Sequence, residues 1–132
     1  MSDKGSLVES LDIAKLAAET AEDKLGRDVV ILDLGELSFI CDYFVVTSAP
    51  TRIQTRDITR AIEEKLDGLK LPQKRQGYRE GAWILLDYGV VVVHIFLQAE
   101  RDFYDLEGLW REAKVVYRSE PNGPRPLSKQ AS

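Results

Sequence analysis

Three aspartates occupy the positions from which this chain could do metal chemistry. Asp33, Asp42 and Asp87 each fall at or near the end of an apolar run. Three carboxylates at strand ends could hold a divalent cation for phosphoryl transfer. The pattern is incomplete, because no D-x-D pair, no G-x-x-x-x-G-K-[ST] loop and no G-x-G-x-x-G turn is present. Aspartates that cap neighbouring turns are the plainer reading. His94 is a parallel case: it is the only histidine, set in V-V-V-H-I-F, with no Cys or His at ligand spacing. It is expected to be a buried histidine bonded to backbone or to a carboxylate. Cys41 is the only cysteine, so it forms no intramolecular disulfide, and beside Ile40 it reads as a small buried hydrophobe. Neither a metal set nor a cofactor motif is legible.

Two further groups could bind rather than react. Arg52, Arg56 and Arg60 fall four apart on one helix face. The bland reading is a solvated stripe in which Arg60 pairs with Glu64, and the sharper one is a contact with RNA phosphate or an acidic protein face. Between Trp83 and Trp110 the chain gathers Trp83, Tyr88, Phe103, Tyr104, Leu106 and Trp110 among Asp87, Glu100, Asp102, Asp105 and Glu107. Phe103, Leu106 and Trp110, at helical spacing, are expected to be claimed by the core. An aromatic anchor rimmed by acids is also what a hot spot for a basic protein looks like. Composition alone leaves core and interface open.

The elements that must position these residues follow from periodicity. Leu7, Leu11, Ala14, Ala18, Ala21 and Leu25 mark a helix over Ser6–Leu25, stopped by Gly26. Val29–Leu34 and Tyr43–Thr47 read as strands, with a helical turn at Leu37–Ile40 between them. Thr51 or Ser48 caps a helix whose stripe is Ile58, Ala61, Ile62, Leu66 and Leu69. Gln73–Tyr78 is a polar edge strand. Ala82–Asp87 and Val90–Leu97 form a hairpin around Tyr88-Gly89 and are expected to be central strands covered on both faces. A two-residue loop would set Trp83 opposite His94, and a three-residue loop would shift the register by one. A helix broken near Gly108 fills Ala99–Tyr117. The expected order is α-β-β-α-β-β-β-α, an α/β (α+β) single domain with a mixed five-stranded sheet flanked by helices, spanning residues 6–117. Residues 118–132 hold three prolines and little apolar bulk, and are expected to be a disordered tail.

Composition narrows the function. Of the 132 residues 44% are hydrophobic and 30% charged, an ordinary soluble balance. A net charge of −4 argues against a nucleic-acid binder that works through its overall field. No stretch approaches the roughly 20 apolar residues of a membrane helix. The start M-S-D-K-G-S has no basic segment followed by an apolar one, so the expected location is cytoplasmic.

The segments D-Y-F-V-V-T-S (Asp42–Ser48), G-Y-R-E-G-A-W-I-L-L-D-Y-G-V-V-V-V-H-I-F (Gly77–Phe96) and R-D-F-Y-D-L-E-G-L-W (Arg101–Trp110) closely resemble the ribosomal silencing factors, also called Iojap-like proteins. The resemblance covers about Leu7 to Trp110 in order and spacing. It implies a factor that binds the large ribosomal subunit through ribosomal protein L-fourteen, blocks association with the small subunit and lowers translation when nutrients are scarce. It also implies a nucleotidyltransferase-like sheet without the catalytic aspartate pair, hence no enzyme. Trp83, Asp87 and Tyr88 would lie on the docking surface with Tyr104 and Asp105 beside them, and two copies could self-associate. Contact of Arg52, Arg56 and Arg60 with ribosomal RNA would be peripheral. A residual metal-dependent nucleotidyltransferase is the competing reading, and a generic RNA-binding module the third. This chain departs from the family in having Ile53-Gln54 where a His-Val pair is common, and in a tail longer than that of the shortest members.

Overall fold

The alanine stripe of the first helix lets it lie close to its neighbours. Ala14, Ala17, Ala18 and Ala21 are buried along α1 (Ser10–Asp23), which packs against α2 (Arg52–Leu66) and the sheet. The computed structural model describes residues 9–119; the expected helix start at Ser6 lies outside them. Leu25 takes the left-handed conformation that ends α1, and the Gly26 N–H donates to the Ala21 carbonyl. Thr51 caps α2, its Oγ1 accepting from the Gln54 backbone N–H at 3.2 Å and donating to Gln54 Oε1 at 3.1 Å, so the Gln54 side chain of the Ile53-Gln54 departure meets the cap. Thr55, Ile58, Thr59, Ile62 and Leu66 form the buried stripe of α2.

The strands are β1 (Arg27–Asp33), β2 (Tyr43–Ala49), β3 (Lys74–Gln76), β4 (Trp83–Asp87), β5 (Val91–Leu97) and β6 (Lys114–Arg118). They form one mixed sheet in the order β3-β4-β5-β2-β1-β6, parallel only between β2 and β5. Among the described residues the sheet therefore has six strands, not the expected five. Lys114–Arg118, expected to finish a helix, pairs antiparallel with β1 as an exposed edge strand. Lys-Val-Val-Tyr-Arg is β-branched and aromatic at its centre, so local propensity already favoured the strand. The last helical segment is correspondingly short: α3 (Gln98–Tyr104) and α4 (Leu106–Leu109) meet at Asp105 in the left-handed conformation. Ser119 Oγ accepts from the Val29 N–H at 2.8 Å, so order extends past the expected boundary at 118, and the rest of the expected tail lies outside the described residues.

Two cores flank the sheet. On one face α1 and α2 cover Ile31, Val45, Ile84, Leu86, Val91, Val93 and Ile95, all fully buried. On the other, Leu106 and Trp110 pack over Val30, Leu32, Phe44, Val46, Val92 and Phe96. Burying each large aliphatic side chain is worth about 1.5–3 kcal/mol, so this alternation of faces fixes the register. In the hairpin Trp83 stands opposite Phe96 and Leu85 opposite His94. Both registers expected from the sequence are displaced. The loop is Gly89-Val90, with Gly89 at φ +86° and the Tyr88 N–H donating to the Val91 carbonyl at 2.9 Å. A shift of two residues from the Trp83–His94 pairing leaves every side chain on its expected face, whereas a shift of one would have inverted them all.

Candidate protein-docking face

Alternation along β4 sends Trp83, Leu85 and Asp87 to the α3–α4 side of the sheet and Ile84, Leu86 and Tyr88 to the α1–α2 side. The helices α3 and α4 do not reach across the whole sheet: α3 packs on β5 and β2. Among the described residues the outward side of β4 and of edge strand β3 is left open, and Trp83, Leu85 and Asp87 are each half-buried. The expectation that β4 is covered on both faces is thus corrected. Beside it runs a shallow groove of about 310 Å³ lined by Gln76, Gly77, Trp83 and Leu85.

An aromatic row crosses the top of this face. The Trp83 ring lies 4.8 Å from Phe96 on its buried side and 4.8 Å from Tyr104 on its exposed side, and Phe103 meets Tyr104 edge to face at 5.1 Å. The structure therefore brings Trp83 and Tyr104 together from segments some twenty residues apart. Phe103, expected in the core, is instead 80% exposed. Its side chain lies on the outward side of the short α3, which turns Arg101, and not Phe103, toward the protein. Of the expected core trio, Leu106 is buried and Trp110 half-buried, edge to face with Phe44 at 5.3 Å.

The carboxylates are held by local bonds. Asp105 caps α4, accepting at Oδ1 from the Gly108 N–H at 3.2 Å. Asp87 accepts at Oδ1 from the Gly89 N–H at 2.8 Å, bracing the hairpin loop, and stands opposite Lys74 of β3. Asp102 accepts from Gln98 Nε2 at 3.3 Å and is exposed. Asp102 and Asp105 flank Phe103-Tyr104 in the chain, and Asp87 lies at the hairpin end of β4, four residues from Trp83.

Tyr88 is not part of this face. Its ring is 4% exposed and packs in the α1–α2 core, where burial and the nearby Glu63 carboxylate push its hydroxyl well above the usual phenol range. The expectation that Tyr88 shares a surface with Trp83 is corrected by parity, since residues five apart on one strand point to opposite faces.

Arg101 anchors the turn that carries Tyr104 and Asp105. Although its side chain is 5% exposed, it donates to Glu107 through Nη2 at 2.7 Å and Nε at 3.3 Å, to Ser48 Oγ at 3.0 Å and to the Arg27 carbonyl at 3.2 Å. Asp28, at φ +46° in a bulge of β1, adds a second carboxylate at 3.6 Å. Sequence reasoning missed this residue, although an arginine with a glutamate six residues on was the visible signal.

The other expected sites resolve into structural roles. Arg52 Nε donates to the Glu80 carbonyl, and Arg56 to the carbonyls of Tyr78 and Arg79, at 2.9–3.2 Å. Arg60 donates to the Tyr78 hydroxyl and, instead of pairing with Glu64 as expected, lies 3.6 Å from Asp57. The stripe thus fastens the loop between β3 and β4. Asp33 accepts from the Gly35 N–H and Asp42 from Ser10 Oγ, and both line an open cleft with Glu9 and Asp12 that Asp87 does not enter. Among the described residues no three His, Cys, Asp or Glu side chains are placed to hold a metal. Cys41 is buried, with burial raising its thiol pKa. His94 is buried as expected, but its partner is the indole of Trp83, whose Nε1–H donates to Nδ1 at 3.2 Å.

The comparisons with known proteins agree with one another. A family described as "Ribosomal silencing factor during starvation" matches residues 8–132. The chain is 38% identical over 106 residues to the Bacillus subtilis "Ribosomal silencing factor RsfS", covering 79% of this chain and 89% of that protein. It is 31% identical over 114 residues to "Protein Iojap, chloroplastic" of Arabidopsis thaliana, covering 82% of this chain and 45% of that protein. A crystal structure from Chromobacterium violaceum superposes with a TM-score of 0.75 at 32% identity, over 90% of this chain and 91% of that one. A second, from Bacillus halodurans, gives 0.72 at 29% identity, over 81% and 98%. With its six-stranded mixed sheet and a match over nearly its whole length, the chain belongs to the ribosomal silencing factor family.

Proposed function

We propose that this chain is a translational repressor that docks on the large ribosomal subunit through the open face of β4 and there excludes the small subunit. Family membership supports the ribosome-associated, regulatory half of this reading. The observation that carries the docking half is the Trp83–Tyr104 pair, ring centroids 4.8 Å apart, at the edge of the sheet face that α3 and α4 cover only in part. Large aromatics at a partly desolvated centre, ringed by charge, are where binding energy concentrates. The carboxylates of Asp87, Asp102 and Asp105 fit a basic partner, and ribosomal protein L-fourteen is the partner that the family resemblance implies. Repression needs no chemistry in this reading: a folded domain seated on the joining face is itself the obstacle. Lower translation under nutrient limitation, a cytoplasmic site of action and self-association of two copies belong to the same proposal. So does contact of Arg52, Arg56 and Arg60 with ribosomal RNA, which their bonds to the loop between β3 and β4 would keep peripheral.

Gradient co-sedimentation with purified large subunits, with small subunits added as competitors, tests it. The chain should travel with large subunits and lower the yield of joined ribosomes. Trp83→Ala and Tyr104→Ala should each weaken binding by about 1 kcal/mol or more. Unchanged binding of both variants, each shown folded by thermal melting, removes this face from the interface.

A further inference from the structure

We propose that His94 is a positioning residue for the docking anchor: its Nδ1 accepts the hydrogen bond that fixes the Trp83 indole in the orientation it presents to a partner. The inference rests on the docking role proposed for Trp83. His94 lies in the middle of β5, opposite Leu85 on β4 and Val46 on β2, and is 4% exposed. Every neighbouring position in this strand is aliphatic or aromatic, and an apolar side chain would fill the site without polar cost. The histidine has one hydrogen-bond partner among the described protein groups, the Trp83 indole at 3.2 Å, while its Nε2 has none. An imidazole half-satisfied in a core is destabilising relative to an apolar residue of similar volume. What the site gains is control of Trp83.

The chemistry of the contact is fixed by the indole. Nε1–H is a donor only, so Nδ1 must carry the lone pair and Nε2 the proton, which requires the neutral ring. Burial favours that form, holding the pKa down to about 4. Ring packing limits the imidazole in turn: Phe44 meets His94 edge to face at 4.5 Å, and Phe96 stacks beside it at 6.3 Å. Trp83 is half-buried, and without an internal acceptor its N–H would be satisfied by water in more than one rotamer. With the acceptor in place, the indole stands fixed between Phe96 and Tyr104 before any partner arrives. Preorganising an anchor in this way raises affinity without adding a contact.

Two substitutions separate this role from simple packing. His94→Asn keeps an acceptor near the Nδ1 position, while His94→Leu keeps bulk and removes the acceptor. Large-subunit affinity should fall about threefold to tenfold in His94→Leu, the range set by one net hydrogen bond, and recover in His94→Asn even though asparagine packs less well. The Trp83 indole N–H resonance of the free protein should be protected from solvent exchange in the wild type and in His94→Asn, and lose protection in His94→Leu. Equal affinity of all three proteins, with Trp83→Ala still weakened, overturns the positioning role alone. Wild-type binding by Trp83→Ala overturns the docking reading and this inference with it. Should His94→Leu fail to fold, exchange of the wild-type Trp83 indole N–H as fast as that of free indole is sufficient to overturn the inference.

Discussion

Replacing Arg101 by methionine keeps most of the aliphatic stem and removes the guanidinium that ties α3 and α4 to the sheet. The magnitude follows from what each lost partner can do instead. A fully buried ion pair broken from one side costs about 3–5 kcal/mol, because the orphaned charge stays in a dry site. Here the Glu107 side chain is 24% exposed and that of Asp28 37%, so both carboxylates regain some water. Ser48 Oγ keeps Gln98 at 3.1 Å, and the Arg27 carbonyl keeps Thr47 Oγ1 at 3.1 Å. The expected loss is therefore about 2–3 kcal/mol, or roughly 10 °C in melting temperature for a chain of this size. Urea melts of Arg101→Met, Glu107→Gln and the double variant measure it. The cycle should show a coupling above about 1 kcal/mol for two groups 2.7 Å apart. Because Tyr104 and Asp105 follow within four residues of Arg101, large-subunit binding should weaken even where the domain remains folded. A stability loss below about 1 kcal/mol would mean that the cluster behaves as an exposed salt bridge and that Arg101 is not what holds the Tyr104-Asp105 turn to the sheet.

Two further outcomes are accessible by the same methods. Gly77→Ala should destabilise by more than about 2 kcal/mol, since Gly77 sits at φ +80° and an added Cβ would lie 2.2 Å from the Trp83 carbonyl oxygen; a change within about 0.5 kcal/mol in a urea melt would contradict the close approach of the two backbones. His94 should make stability fall as pH falls between its ordinary 6.5 and about 4, because in that window the unfolded chain binds a proton that the folded chain refuses. The full loss is on the order of 3 kcal/mol, and it should be missing from the difference between wild type and His94→Asn above pH 6.5; parallel profiles below pH 6.5 would show that the ring titrates normally when folded.

Much of the architecture is legible in the residues because it depends on local pattern. The alanine stripe of α1, the Thr51 cap, the polar edge strand at 74–76 and the parity of the hairpin all follow from spacing that a chain cannot satisfy in another way. Parity also placed Tyr88 on the opposite face from Trp83, a signal present in the sequence and outweighed by the turn-like look of Tyr88-Gly89. The sixth strand was readable from Lys-Val-Val-Tyr-Arg but was concealed by the helical spacing that precedes it.

What spacing could not decide is which apolar groups remain uncovered. Phe103 and Leu106 are both candidates for a buried stripe, and only the length of α3 and its left-handed exit at Asp105 turn the first outward and the second inward. The partners of His94, Arg101 and the arginine stripe are equally invisible in sequence, since each bond joins segments brought together by the sheet. Sequence by itself determined most of the elements, the family resemblance and the aromatic-acid cluster. Tertiary structure alone decided which aromatics stay exposed, with Tyr104 packed on Trp83 and Phe103 turned outward, because burial is a property of how far α3 and α4 reach across the sheet and of no single residue.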